Sequence, residues 1–237
     1  MSAFQDLSTG MQYLCIGLLY LLQQLNHVLS NWGLSIIALA LCVRILLYPL
    51  SKRAMESQRK YISTQKLLAP EIAQIKKSYK GAEQSEQILA LYKKNNISPF
   101  ASLKPLLILL IQLPIFIALY HVLKSVPELQ TASFLWIKSL GEPDRLFNFG
   151  YNLPLLGRSF NALPFIMTVT TLLTMKISPA PATDRNAANI QNVFMFAMAA
   201  TFLILFYNFP SGIVLYWTMA NTFMLLQNLM IKPKQEQ

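Results

Sequence analysis

Arg44 is the residue in this chain with the clearest chemical capacity. It lies inside the apolar run Gly33–Leu50, and a guanidinium stays protonated at any relevant pH. Placed at the centre of a bilayer, such a charge costs from about 2.5 kcal/mol to well over 10, so it is kept mainly where it has a function. Its natural chemistry is reversible capture of an anion by charge-assisted hydrogen bonds. The ten acidic residues (Asp6, Glu56, Glu71, Glu83, Glu86, Glu128, Glu142, Asp144, Asp184, Glu236) all fall outside the apolar runs. Arg44 therefore has no evident carboxylate of its own at membrane depth.

The remaining candidates carry no catalytic arrangement. His27 and His121 are the only histidines and neither accompanies a nucleophile motif. Cys15 and Cys42 stand apart, without a CxxC or a set of histidine ligands, and read as packing residues. An intramembrane protease would need a Ser–His, Ser–Lys or paired-acid site, and a proton-coupled transporter a titratable group at membrane depth. What the spans do hold is uncharged polar groups. Gln112 lies in the second span, Thr168, Thr171 and Thr174 recur at i, i+3, i+6 in the third, and Asn192 and Thr201 belong to the fourth. Tyr216, Trp217, Asn221 and Gln227 lie in the last. Singly, each contributes about 0.6 kcal/mol to tying helices together. Together with Arg44 they could line a hydrated cavity. Arg44 is six residues from Leu50, roughly 9 Å from that edge at 1.5 Å per residue. Two plainer roles compete for it: snorkelling of its stem to the interface, and bonding to backbone carbonyls.

The elements that must position these groups follow from composition. The chain is 54% hydrophobic and 13% charged, which implies a polytopic α-helical membrane protein. Five spans stand out, at 33–50, 105–123, 163–175, 193–209 and 213–231; the third and fourth are short for a bilayer. Pro114 sits inside the second. Segment 51–104 carries eleven Lys/Arg against four Glu, and 176–192 and the 232–237 tail add four more cations. The opposite connections hold Lys124, Lys138, Arg145 and Arg158, and residues 1–32 hold no Lys or Arg. The positive-inside rule then places 51–104, 176–192 and the tail in the cytoplasm, and 1–32 and 124–162 outside. Met11–Ser30, with leucines at helical spacing interrupted by Gln and Asn, reads as an amphipathic helix in the outer interface, with a sixth span as the alternative. It lacks the basic n-region and cleavage site of a signal peptide. Lys52–Lys80 and Ala82–Asn95 read as a basic helical hairpin turning at Gly81, with Pro70 interrupting its first arm.

Several blocks together resemble the YidC/Oxa/Alb family of membrane-protein insertases. They are Asn31-Trp32-Gly33 and Tyr48-Pro49-Leu50 flanking the Arg44 span, Leu91-Tyr92-Lys93, Gln112-Leu113-Pro114-Ile115-Phe116, Ala118-Leu119-Tyr120, Lys176-Ile177-Ser178-Pro179, and Phe209 to Trp217. They run in order from about Asn31 to Ile231. The resemblance implies an all-α core of five helices in the bacterial inner membrane. That core encloses a hydrophilic groove open to the cytoplasm and to lipid and closed outside. It implies no enzyme activity and no cofactor. It places Arg44, with Gln112, Thr168, Thr171, Tyr216, Trp217 and Asn221, in the groove that receives polar segments of nascent membrane proteins. Leu113, Ile115, Phe116, Phe202 and Leu205 would form the greasy slide for the incoming helix. The 51–104 hairpin would recruit substrates, and the ribosome or the Sec translocon if they take part; no DNA is implied. Three departures stand out. The sequence carries no first span or large periplasmic domain, Ala40 stands where some relatives have a hydroxyl, and only six residues follow Ile231. The competing classes are an anion channel using Arg44 for selectivity and an assembly factor for which Arg44 is dispensable.

Overall fold

The computed structural model describes residues 4, 7–95, 104–154, 157–177 and 185–230. Ser178 and Pro179 of the Lys176–Pro179 block and the 232–237 tail lie outside these described residues. The elements, in order, are α1 (Thr9–Leu29), α2 (Trp32–Ser78), α3 (Gly81–Lys94), α4 (Lys104–Ser125), α5 (Pro127–Thr131), β1 (Phe147–Leu153), β2 (Gly157–Phe160), α6 (Leu163–Ile177), α7 (Arg185–Phe206) and α8 (Ser211–Met230). They form two compact units. One comprises Met1–Leu46, Leu113–Ser178 and Met195–Gln237, the other Leu47–Gln112 and Pro179–Phe194.

In the first unit, α2 begins because Asn31 caps it: its side-chain oxygen accepts from the Leu34 N–H at 3.0 Å. Ile36, Leu39, Ala40 and Val43 then recur at i, i+3, i+4, i+7 and are buried, while Leu41, Ile45 and Leu46 on the other face are exposed. Stretches within Trp32–Ser78 and Asn189–Phe206 are long and apolar enough to cross a membrane. Helix α6 is apolar but shorter, and α2, α6 and α7 all carry exposed apolar side chains. Helix α1 buries Cys15, Leu18 and Leu22, with the Cys15 sulfur 3.8 Å from the Ala118 carbonyl oxygen of α4.

The chain is mostly helical, as an all-α class requires, with one short addition. Between α5 and α6 lies an antiparallel two-stranded sheet, β1 with β2, pairing Phe147 with Phe160 and Leu153 with Gly157 across a bulge. Phe147, Phe149 and Tyr151 alternate with Asn148, Gly150 and Asn152, the period of two that places aromatics on one face of a strand. A second difference concerns α7, which begins at Arg185 and ends at Phe206, rather than at the limits 193–209 suggested by hydropathy. At 22 residues it is not short. Helix α6, with 15 residues, spans only about 22 Å against ~30 Å of hydrocarbon.

In the second unit, α2 continues through Pro49 and Pro70. Each proline removes a single backbone hydrogen bond, and Pro70 does not divide the hairpin arm as expected. The chain reverses at Gly81, whose φ of +62° suits a residue without Cβ. Leu68 and Ile72 of α2 pack on Leu91 of α3, flanked by Ile75, Ile88 and Tyr92. Gln65 Nε2 donates to the hydroxyls of Tyr61 at 2.7 Å and Tyr92 at 2.8 Å, tying the arms together.

Candidate functional site

Arg44 lies at the margin of the buried stripe of α2 and is itself half-buried. Its Nε donates to the Ala220 carbonyl of α8 at 2.9 Å and its Nη2 to the Met224 sulfur at 3.6 Å. No carboxylate pairs with it among the described residues; Glu142, for one, pairs with Arg145 at 2.8 Å. A guanidinium has five N–H donors, so three remain beyond these two contacts. The backbone-carbonyl role is therefore present, and it holds the fork in place without consuming it.

The acceptors explain part of the geometry. Trp217, Ala220, Asn221 and Met224 follow i, i+3, i+4, i+7 along α8 and form one stripe. Asn221 Nδ2 donates to Thr171 Oγ1 on α6 at 2.8 Å, so Arg44, Asn221 and Thr171 are linked through α8. Thr171 in turn donates to the Met167 carbonyl, and Thr168 to Pro164, each at 2.8 Å within α6. Tyr216 is fully buried. Trp217 is also buried, with its ring 5.5 Å from Phe116, 6.0 Å from Phe202 and 5.4 Å from Phe206. It thus joins two residues expected on the slide. Leu113 and Leu205 are exposed, and Ile115 half-buried. Gln112 is buried and belongs to the other unit. Among the described residues, no three His, Cys, Asp or Glu side chains converge as a metal site.

A second polar centre escaped the sequence reading. Asp144, 2% exposed, accepts through Oδ2 from the N–H groups of Ala162 at 2.8 Å and Leu163 at 2.9 Å, and from the Trp136 indole at 3.0 Å. Ala162 has no capping side chain and Pro164 no N–H, so the start of α6 takes its cap from 18 residues away. Asn161 donates to the Tyr207 carbonyl at 2.7 Å, and the Tyr207 hydroxyl donates to the Ser159 carbonyl at 2.8 Å. The first N–H groups of α8, at Ser211 and Gly212, donate at 2.8 Å to the carbonyls of Glu142 and Leu140. At Gly212 a Cβ would lie 3.0 Å from Leu123 and 3.1 Å from the Leu140 oxygen, and at Gly33 it would overlap the Phe134 ring. The segment between α5 and α6 is thus hydrogen-bonded onto the starts of α6 and α8 and the end of α7, and its Phe134 packs closely on Gly33 at the start of α2. Proximity in sequence gives no signal for Asp144; the Phe209-Pro210-Ser211-Gly212 block marks the α8 end of the same contact.

A predominantly helical chain with exposed apolar helix faces, and with the Arg44 guanidinium unpaired with a carboxylate among the described residues, has the make-up of a polytopic helical membrane protein. The chain belongs to the YidC/Oxa/Alb family: the model of the 60Kd inner membrane protein family matches residues 24–237. Curated relatives include "Membrane protein insertase YidC" of Herminiimonas arsenicoxydans, 34% identical over 91% of this chain and 36% of the relative. The protein of the same name from Aquifex aeolicus is 36% identical over 86% of this chain and 36% of its own length. The chain therefore spans little more than a third of these relatives. It is also similar to the solved "Active YidC insertase crystal structure with the first transmembrane domain resolved", with a TM-score of 0.64 and 28% identity over 93% of this chain and 46% of that one.

Proposed function

We propose that this chain forms the core of a membrane-protein insertase, in which Arg44 receives the polar translocated segment of a nascent protein. The observation that carries the reading is the bonding of Arg44: α8 holds two of its donors, no carboxylate neutralises it among the described residues, and three donors remain for an anion. Unsatisfied backbone groups in hydrocarbon cost several kcal/mol each. A hydrated groove containing Arg44, Thr171 and Asn221 lowers that cost, and the 15-residue α6 shortens the dry path beside it. The substrate's own helix leaves along the exposed flank of Leu113 and Leu205, driven by burial of its apolar surface in lipid. No hydrolysis and no cofactor is needed. The charge distribution orients the core with the α2–α3 hairpin in the cytoplasm and the β1–β2 segment outside.

Photo-crosslinkers at positions 113 and 224 should capture a stalled nascent membrane protein, whereas one at exposed Tyr20 of α1 should not. Equal yields at the three positions would refute the route. An anion channel would instead give conductance in liposomes.

The hairpin supports a recruiting role through its basic, solvent-facing arms and its own small core. Deleting Lys52–Asn95 should leave the chain membrane-integrated but reduce insertion by about tenfold, read by protease protection of a substrate tail. Unchanged insertion would leave the hairpin as an orientation signal only.

A further inference from the structure

The β1–β2 sheet, which takes no part in the route above, has two unlike faces. On one, Phe147 and Phe160 are cross-strand partners and their rings stack at 5.0 Å. On the other, the next pair is Asn148 with Ser159, whose hydroxyl donates to the Asn148 amide oxygen. Both of these line a polar cleft with Arg145 and Asn208. Successive residues of a strand alternate between faces, so the separation is built into the order of residues. The aromatic face is left open: Phe147 is 49% exposed and Tyr151 63%.

Its rings form one row that starts on a helix. Phe165, in the first turn of α6, stacks on Phe160 at 5.1 Å. Beyond Phe160 and Phe147, Phe149 meets Phe147 edge-on at 5.2 Å and lies 6.2 Å from Tyr151. The antiparallel register sets Phe147 beside Phe160, near α6, and Tyr151 roughly 13 Å further along the strand. The row therefore ends on its one hydroxyl, at the point farthest from the helix. In the other direction from Phe165, α6 carries exposed Ile166, Val169 and Leu173 at i, i+3, i+7.

This continuity decides what covers the face. The α6 stripe and the ring row meet at Phe165 and make one surface, and lipid covers such a surface without the packed core and polar rim of a protein contact. The order of the rings agrees: phenylalanines next to the helix, then a tyrosine, the amphipathic ring of membrane–water interfaces. Helix α6 also leaves room for an extension, since its 15 residues fall about 8 Å short of the hydrocarbon thickness. We propose that the aromatic face of the β1–β2 sheet docks on the lipid of the outer leaflet, with Phe147 and Phe160 at the acyl boundary and the Tyr151 hydroxyl among the headgroups. The sheet then prolongs the apolar surface of α6 and holds the segment that caps α6 and α8 against the membrane. The inference rests on the membrane placement proposed above.

The test uses the full chain in vesicles of phosphatidylethanolamine and phosphatidylglycerol. Photo-reactive p-benzoylphenylalanine is placed at single positions, and lipid adducts of the purified chain are counted by mass spectrometry. Positions 147 and 151 report on the row, 169 on the α6 stripe and 148 on the opposite face of the sheet. Yields at 147 and 151 should match that at 169 and exceed that at 148 at least about fivefold, because alternate residues of a strand face opposite ways. Equal yields at 147 and 148 overturn the proposal. So do adducts at 147 to a second copy of the chain, which would assign an interface between copies, or to another protein when the experiment is repeated in native membranes. Should the variant at 148 not integrate, position 169 serves as the reference, and yields at 147 and 151 below about a fifth of it overturn the proposal. Absence of lipid adducts at 169 would defeat the membrane reading itself, whereas adducts at 169 without adducts at 147 and 151 defeat this inference alone.

Discussion

Replacing Arg44 by glutamate is expected to lower insertion of a substrate with an acidic translocated tail by at least about tenfold, equivalent to ~1.4 kcal/mol. Two effects act in the same direction. The substitution removes the donors left over for the substrate and sets a carboxylate against an acidic tail. It also places that carboxylate beside the Ala220 carbonyl, replacing a donor–acceptor contact by two acceptors. Arg44→Lys keeps the charge and one or two of the contacts but loses the planar fork, so a loss of about threefold or less is expected. Arg44→Gln separates the terms, since it is neutral and can still donate to Ala220. It should integrate normally and handle substrates with uncharged tails better than acidic ones. The measurement is protease protection of the tail in inverted vesicles at matched expression, with substrates differing only in tail charge. Equal insertion of the acidic substrate by wild type and Arg44→Glu would remove the electrostatic step. A lowered thermal midpoint for every variant, with no dependence on substrate charge, would reduce Arg44 to a tie between α2 and α8.

The second large effect lies at Asp144 and concerns stability. Asp144→Ala leaves the Ala162 and Leu163 N–H groups and the Trp136 indole without their common acceptor. Hydrogen bonds to a charged group contribute about 1.5–3 kcal/mol each. They are not additive when they share one oxygen, and water reaching the vacated site recovers part of the loss. A net cost of about 3–5 kcal/mol is expected, or roughly 10 °C in the unfolding midpoint for a chain of this size. Asp144→Asn retains an acceptor oxygen and should lose less than half as much, while Trp136→Phe removes one donor and should cost ~1 kcal/mol. The midpoint can be followed by circular dichroism in detergent, together with protease sensitivity between α5 and α6. A midpoint for Asp144→Ala within about 2 °C of wild type would show that the cap contributes little to the fold.

These two residues also show how far the sequence carries. Arg44 stands out at once, because an arginine in an apolar run with every acid excluded is a local contrast. Its acceptors do not, because Ala220 and Met224 are ordinary residues on a helix 176 positions away. The hairpin turn at Gly81 is legible for the same local reason: it depends on the conformation of a few neighbouring residues. Asp144 is the converse. It resembles one more charged residue in an external loop, and only folding brings its oxygen to a helix start that has no capping side chain of its own. The β1–β2 pair lies between these cases. Its alternation is present in Phe147 to Asn152, but six residues of period two within a long connection are outweighed by the stronger apolar runs on either side.

By itself, the sequence determined the helical make-up, the bias of basic residues to one set of connections, and a guanidinium within an apolar run when no apolar run holds an acid, since periodicity and charge are counted along the chain. Tertiary structure alone decided that α8 holds Arg44 by a carbonyl and a thioether, and that Asn221 meets Thr171. It also decided that Trp217 packs among phenylalanines, and that Asp144 secures α6. Each of these depends on which helix faces meet and at what height. That is set by packing between residues distant in sequence, a quantity that no local pattern of residue types contains.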